Sequence, residues 1–174
     1  MLSRIFPERV DNRYRGHALA LWFFVPIALM KVGISLLHIL YADGGAQSIS
    51  AIPLDSYPAG AAQNVVALFS RMGLEQLLLG LVFAVVLLRY RSLLPLMYVL
   101  LAVYYIGQAV IVYAKPLAVT ATSGASTPAM ILRVLSFAGL ILSLWGAGYL
   151  KPEADAAPAH DDGAHAAPLH DASR

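Results

Sequence analysis

Four long apolar stretches dominate this sequence. They run from about His17 to Leu40, Ala62 to Leu88, Leu93 to Ala114 and Ala129 to Leu150. Each has about 20 residues or more, the length that an α-helix needs to cross about 30 Å of hydrocarbon. Because lipid offers the backbone no hydrogen-bond partner, stretches this long and unbroken predict helices. We therefore predict an all-α fold, a four-helix transmembrane bundle.

The composition agrees with an integral membrane protein in contact with a lipid bilayer. Hydrophobic residues make up 59% of the 174 residues and charged residues 13%, against about 45–50% and about 25% in typical soluble domains. The chain has no cysteine, which excludes disulfides, thiol redox catalysis and cysteine-bound metals within it. No basic stripe interleaved with aromatic residues occurs, so nucleic acid is not an expected partner.

The basic residues predict the orientation of the bundle. Arginine or lysine occurs before the first stretch, between the second and third, and after the fourth, at Arg4, Arg9, Arg13, Arg15, Arg89, Arg91 and Lys151. The first loop has none and the loop after the third stretch has only Lys115. The positive-inside rule therefore places both termini in the cytoplasm, in what we expect to be a bacterial inner membrane.

The predicted domain organisation has three parts. Residues 1–16 form a cytoplasmic N-terminal segment, residues 17–150 the transmembrane domain, and residues 151–174 a cytoplasmic tail that is expected to be disordered because it is rich in Ala, Pro and Asp. The tail histidines, His160, His165 and His170, are expected to be solvated. The loop over residues 43–60 can fold over the mouth of the bundle, with Ile49, Ile52 and Leu54 packing downward.

The spans also contain side chains that are costly to place in lipid. A charge at the bilayer centre costs about 2.5–3.5 kcal/mol on insertion scales, so such groups usually face the bundle interior. The predicted topology brings these side chains to similar depths. We predict that they line an outward-facing pocket for a small lipophilic or anionic ligand, and the residues are Lys31, Arg71, Glu75, Gln108, Arg133, His38, Asn64 and Tyr104.

Structural roles for the same residues stay open. Arg71 and Glu75, four residues apart, can pair along one helix, and Lys31 can pair with Glu75 across helices. His38 and Arg133 can reach the head groups. A series of small residues, Gly139, Ser143 and Ala147, allows close approach of another helix, either inside the bundle or between two chains.

No pattern of a catalytic site is present. The sequence contains no nucleophile elbow, phosphate-binding loop or pair of metal ligands at a productive spacing, so we predict no catalytic residue and no metal site. No cofactor is identified. His17 and His38 lie at opposite ends of one predicted helix, which argues against a haem held by two histidines of this chain.

One segment resembles a known family. The stretch Arg71-Met-Gly73-Leu-Glu75-Gln-Leu-Leu-Leu-Gly80, followed by an apolar run and Arg89-Tyr-Arg91, resembles the second helix of DoxX-like small membrane proteins. The overall layout of residues 17–150 is similar too. The resemblance implies four helices, an outer loop after the first, family-like positions at Glu75 and Gly80, and a link to quinone-dependent oxidation of sulfur compounds or to oxidative-stress assemblies.

Three functions are consistent with these observations. The first is a non-enzymatic module that binds a small lipophilic or anionic ligand or serves as an accessory subunit. The second, implied by the resemblance alone, is a quinone-interacting subunit of a membrane oxidoreductase. The third is a scaffold or assembly protein, working as a homo-oligomer or with a membrane partner subunit, in which the polar side chains only stabilise the bundle.

Overall fold

The computed structural model describes residues 2–121 and 126–145, and within these ranges the regular elements are all helical. Of the five α-helices in these ranges, four, α2 to α5, are long and apolar enough to cross a membrane, which confirms the predicted four-helix transmembrane bundle. The helices are α1 Leu2–Ile5, α2 Ala18–Leu40, α3 Ala59–Arg89, α4 Leu94–Ala114 and α5 Ser126–Trp145. The last residues of the fourth predicted span and the tail over residues 151–174 lie outside the described residues.

Two helices begin earlier than the apolar stretches predicted. Helix α3 begins at Ala59, three residues before Ala62, and helix α5 begins at Ser126, three residues before Ala129. Hydropathy detects only the part of a helix that matches the hydrocarbon, whereas the first turn can lie among the polar head groups. Pro58 directly precedes the first turn of α3, where proline is well tolerated.

The bundle is closed at the end that the sequence predicts to be cytoplasmic. Phe24 of α2 contacts Phe83 of α3 and Tyr98 of α4, with ring centroids 5.1 and 5.3 Å apart. The hydroxyl of Tyr98 donates a 2.6 Å hydrogen bond to the carbonyl of Ala20, so this buried polar group is satisfied. Helix α2 packs against α3 and α5, and α5 packs against α4, whereas α3 and α4 make few contacts.

Two glycines set the distance between α2 and α3. A Cβ atom on Gly73 would lie 2.7 Å from the Cβ of His38, and one on Gly80 would lie 2.9 Å from Cγ2 of Val32. Both distances are well below van der Waals contact, so this close approach requires glycine at both positions. The contact also fixes the rotation of α3 about its axis, because the glycine face must point at α2.

The loop between α2 and α3 folds over one end of the bundle. Ile52 and Leu54 are buried, together with Ala46, against Val65, Val66 and Phe69, which confirms the prediction for Ile52 and Leu54. Gly44 and Gly45 have φ angles of 61° and 74°, a left-handed conformation that favours glycine. Their turn brings the loop down onto His38, since the Gly44 carbonyl lies 2.7 Å from the Nδ1 atom of that side chain.

The carboxylate of Asp43 holds the start of this loop together. Its two oxygens accept hydrogen bonds from the backbone amides of Gly45, Gln47 and Ser48, at 2.9, 3.1 and 2.6 Å. The Ser48 hydroxyl adds a fourth, at 3.1 Å. Partial burial pushes the pKa of Asp43 up, but these hydrogen bonds outweigh it, so the pKa lies below its usual value.

Candidate functional site

A cleft of about 390 Å³ lies between the helices, next to the loop that follows α2. This volume is within the range of about 300–1,000 Å³ that is typical of small-molecule sites. Along α2 its lining runs from Ile27 to His38, about 16 Å at 1.5 Å per residue. The lining is largely apolar and comprises Ile27, Met30, Lys31, Ile34, Leu37, His38, Ser48, Ile49, Ser50, Gln76, Tyr104, Tyr105, Pro128, Ala129 and Leu132.

Lys31 is the charged residue of the cleft lining. It lies just past the middle of the 23-residue helix α2 and only 9% of its surface is exposed. Its Nζ atom lies 3.4 Å from Oε1 of Gln76, at the long end of hydrogen-bond distances, and 4.2 Å from the centre of the Tyr104 ring. Among the described residues it has no carboxylate partner. The ammonium group is therefore held by an amide oxygen and a ring face, and its charge is not neutralised.

Gln108 extends this polar arrangement along α4. Its Nε2 atom donates to the hydroxyl of Tyr104 at 3.3 Å, although Gln108 itself is not part of the cleft lining. The side chains of Gln108, Tyr104, Lys31 and Gln76 thus form a chain of contacts across α4, α2 and α3. The sequence predicted a shared site for three of these four residues, and the structure brings those three together.

His38 lies under the loop rather than at the membrane surface. It is buried, its ring packs edge-on against Phe69 with centroids 5.8 Å apart, and its Nδ1 faces the Gly44 carbonyl. Because a carbonyl oxygen only accepts, Nδ1 carries the proton and donates this hydrogen bond. This nitrogen therefore anchors the loop. The sequence interpretation in which His38 reaches the lipid head groups does not agree with this buried position.

Arg133 is exposed near the start of α5 and is not among the residues that line the cleft. Its guanidinium carbon lies 5.8 Å from the centre of the Tyr105 ring. This contact is a cation–π arrangement at the long end of the useful range. Arg133 therefore lies beside the cleft, behind Tyr105, and not inside it.

Arg71, Glu75 and Asn64 lie on the opposite side of α3 from the cleft. All three side chains are exposed. Among the described residues neither charged side chain forms an ion pair or a hydrogen bond, so the Arg71–Glu75 pair and the Lys31–Glu75 pair considered from the sequence are not formed. The physical reason is the glycine contact, because turning Gly73 and Gly80 toward α2 turns Arg71 and Glu75 away from it.

Sequence reasoning missed Gln76 and Tyr105, which both line the cleft. The signal for Gln76 was present, since it is three residues after Gly73 and four before Gly80 and so shares their helical face. Small residues often mark the tightly packed face of a membrane helix. Giving the glycines more weight than the charges would have selected Gln76 in place of Glu75.

The small residues of α5 contribute to packing inside the bundle. Gly139 and Ser143 are both buried, and Gly139 lies directly against the ring of Tyr98. The hydroxyl of Ser143 donates to the Leu140 carbonyl at 2.8 Å. The sequence left open whether these small residues pack inside the bundle or between two chains, and Gly139 and Ser143 pack inside the bundle. Ala147 lies outside the described residues.

The arrangement of the cleft suits binding. It combines one buried cation, amide and hydroxyl groups from Gln76, Ser48 and Tyr104, and a long apolar wall. Comparison with known proteins gave no match to a family model, to a curated protein or to a solved structure. The resemblance to DoxX-like proteins therefore rests only on the quoted residues and the layout of residues 17–150.

Proposed function

We propose that this protein is a non-enzymatic membrane module whose cleft binds a lipophilic ligand with an anionic head group. The observation that supports this most directly is the buried ammonium of Lys31, which faces a largely apolar cleft without a carboxylate among the described residues. A charge is rarely kept in such a place unless it has a partner or a function. A ligand anion would supply the missing partner.

The division of the lining supports a ligand with two chemically different parts. Ile27, Met30 and Leu132 offer apolar surface to a hydrocarbon chain, while Lys31 and Gln76 come together at one point of the wall. A carboxylate or phosphate near Nζ would accept a charge-assisted hydrogen bond, worth about 1.5–3 kcal/mol. Replacing the anion by a neutral head group of the same size would then weaken binding about ten- to a hundredfold.

The proposed setting is the bacterial inner membrane, with both termini in the cytoplasm. Under this orientation the loop that carries Asp43 and Ile52 faces outward, as does the cleft beside it. The support is the distribution of basic residues, which are absent from this loop and frequent at the other end of the bundle. The ligand would then enter from the outer leaflet or from the space above it.

Two probes that differ only in their head group test the proposal. Laurate and dodecanol share a twelve-carbon chain, and their binding to the detergent-solubilised protein can be measured by native mass spectrometry and by the shift in melting temperature. We expect wild type to bind laurate at least tenfold more tightly than dodecanol. Lys31→Met should remove this preference, and the matched control Lys115→Met, which removes an exposed lysine at the end of α4, should keep it.

The other outcomes separate the remaining functions. Equal binding of both probes to wild type, or a preference that survives Lys31→Met, would refute the proposed role of Lys31. A short-chain ubiquinone analogue that binds more tightly than either probe would favour the quinone-interacting subunit instead. Binding of none of the three, with an unfolding transition that Lys31→Met lowers, would favour the scaffold function.

A further inference from the structure

A second polar feature lies on the outer surface of the bundle, away from the cleft. Arg71 and Glu75 are exposed in the middle third of α3, and Asn64 is exposed two turns earlier on the same face. Apolar side chains surround them, with Leu68, Leu74 and Leu78 all more than half exposed. In the predicted membrane setting this face would place one positive and one negative charge in contact with lipid.

The described part of the chain does not cover this face. In the described part of the chain α3 packs chiefly on α2 and makes few contacts with α4, and neither charged side chain has a partner. Ionisable residues within membrane helices almost always face protein or a water-filled cavity. A partner outside this chain is the arrangement that removes both unpaired charges from lipid at once.

The charges of this face are complementary to themselves. A two-fold axis along the membrane normal would place two copies of α3 side by side and parallel, with each arginine facing the glutamate of the other copy. The offset between positions 71 and 75 is about 6 Å along the helix at 1.5 Å per residue, which an extended arginine side chain can span. Asn64 is self-complementary too. Its side-chain amide both donates and accepts hydrogen bonds, so it can pair with Asn64 of the other copy across the axis.

From these relationships we infer that the protein is a two-fold symmetric homodimer whose interface is the exposed face of α3, with reciprocal Arg71–Glu75 pairs between the two copies. An isologous contact of this kind closes on itself and produces a dimer, not a fibre. The small-residue face of α5 is not the interface, because Gly139 and Ser143 are already buried inside the bundle. The cleft around Lys31 stays accessible, since it lies on the other side of α3.

The absence of cysteine allows a direct test in native membranes. Leu78→Cys puts a single thiol on the proposed interface, seven residues after Arg71. Ile106→Cys puts a single thiol on α4 and is the matched control, because the wild-type side chains of Leu78 and Ile106 are 58% and 57% exposed. We expect oxidation with copper phenanthroline to cross-link Leu78→Cys to a dimer at least tenfold more than Ile106→Cys. Equal cross-linking of both would overturn the inference, since random collisions would explain it.

Charge reversal tests whether the pair itself holds the dimer. In the Leu78→Cys background, Arg71→Glu or Glu75→Arg leaves four like charges at the interface and should reduce cross-linking at least tenfold. The two changes together restore opposite charges and should restore cross-linking. Circular dichroism and a single elution peak identify folded variants. If a reversal variant does not fold, Glu75→Gln is the alternative, because it removes the charge without changing the size of the side chain. It should still lower cross-linking severalfold.

Subunit stoichiometry provides an independent readout. Native mass spectrometry of the gently solubilised wild type should give twice the chain mass, and the folded single-reversal variants should give the chain mass. A wild type that remains a monomer, or folded reversal variants that remain dimers, would contradict the proposed interface. A wild type that copurifies at constant ratio with a different protein would identify a heterologous partner and would overturn the homodimer.

Discussion

The ammonium nitrogen of Lys31 lies 4.2 Å from the centre of the Tyr104 ring, which brings a cation of α2 onto an aromatic face of α4. A desolvated contact of this kind is worth about 2 kcal/mol or more, comparable to the cost of placing the charge in the bilayer. The ring thus stabilises a lysine that no carboxylate of the described chain neutralises. This contact explains how the cation can be accommodated at the cleft without a carboxylate partner among the described residues.

The first prediction concerns Tyr104. Tyr104→Leu removes the ring and should lower the free energy of unfolding by about 2 kcal/mol, measured by titration with sodium dodecyl sulfate. Tyr104→Phe keeps the ring and loses only the hydrogen bond from Gln108, so its loss should be about 1 kcal/mol or less. In a Lys31→Met background the extra loss of Tyr104→Leu over Tyr104→Phe should shrink but not vanish, because the ring also packs edge-on against Tyr105 with centroids 5.2 Å apart. Losses that are equal with and without Lys31 would show that the ring does not stabilise the cation.

The second prediction concerns the contact between α2 and α3. Gly73→Ala and Gly80→Ala each force a methyl group to within 3 Å of an α2 side chain, and each should cost about 1–3 kcal/mol by overpacking. Gly107→Ala is the matched control, because a Cβ there has no neighbour within 4 Å. It should be neutral or stabilising by up to about 1 kcal/mol, since alanine favours the helix. Melting temperatures in detergent that fall equally for all three variants would contradict the close contact.

The third prediction concerns pH and the loop. The pKa of Asp43 is lower in the folded protein than in the unfolded chain, so its contribution to stability is present above the unfolded pKa, about 3.9, and is lost as the pH falls through the folded pKa. Asp43→Asn should remove about 1 kcal/mol of loop stability at neutral pH. The measurement is hydrogen exchange of the amides of residues 45–48, which should become about fivefold faster.

The control for this pH dependence lies in the same loop. Asp55 is exposed and accepts one hydrogen bond, from the side chain of Gln47 at 2.5 Å. Asp55→Asn should change exchange over residues 45–48 less than Asp43→Asn does, because it removes no bond to the backbone. If the protection of these amides, relative to the exchange rate of an unfolded chain at the same pH, still falls on acidification in Asp43→Asn, the pH dependence belongs to another group.

The fourth prediction concerns the closed end of the bundle. Phe24 is fully buried and contacts both Phe83 and Tyr98, so Phe24→Ala leaves a cavity and should cost about 3–5 kcal/mol. Leu29→Ala, on the exposed side of the same helix, should cost less than about 1 kcal/mol because it removes no packing contact inside the bundle. A similar loss in both variants, measured by unfolding in sodium dodecyl sulfate, would argue against this aromatic core.

The four spans and the downward packing of the loop could be predicted from the sequence alone. Length and apolarity are enough for the spans, because lipid leaves the backbone no alternative to a helix. Ile52 and Leu54 were predictable for a similar reason, as apolar residues in a loop long enough to fold back onto the bundle. Three residues of the predicted pocket, Lys31, His38 and Tyr104, line the cleft of the structure.

Which face of α3 points inward was decided only by the tertiary structure. At about 100° per residue, Arg71 and Glu75 each lie about 160° around the helix from Gly73, so the charged face and the glycine face cannot both point at α2. Hydropathy favours burying the charges, but the close approach of α2 at Gly73 and Gly80 requires the glycines inside. Close packing of α2 and α3 therefore decides the orientation of α3, even though it exposes Arg71 and Glu75. A binding partner can offset the free energy of exposing these charges, whereas nothing can relieve a steric clash between the two helices.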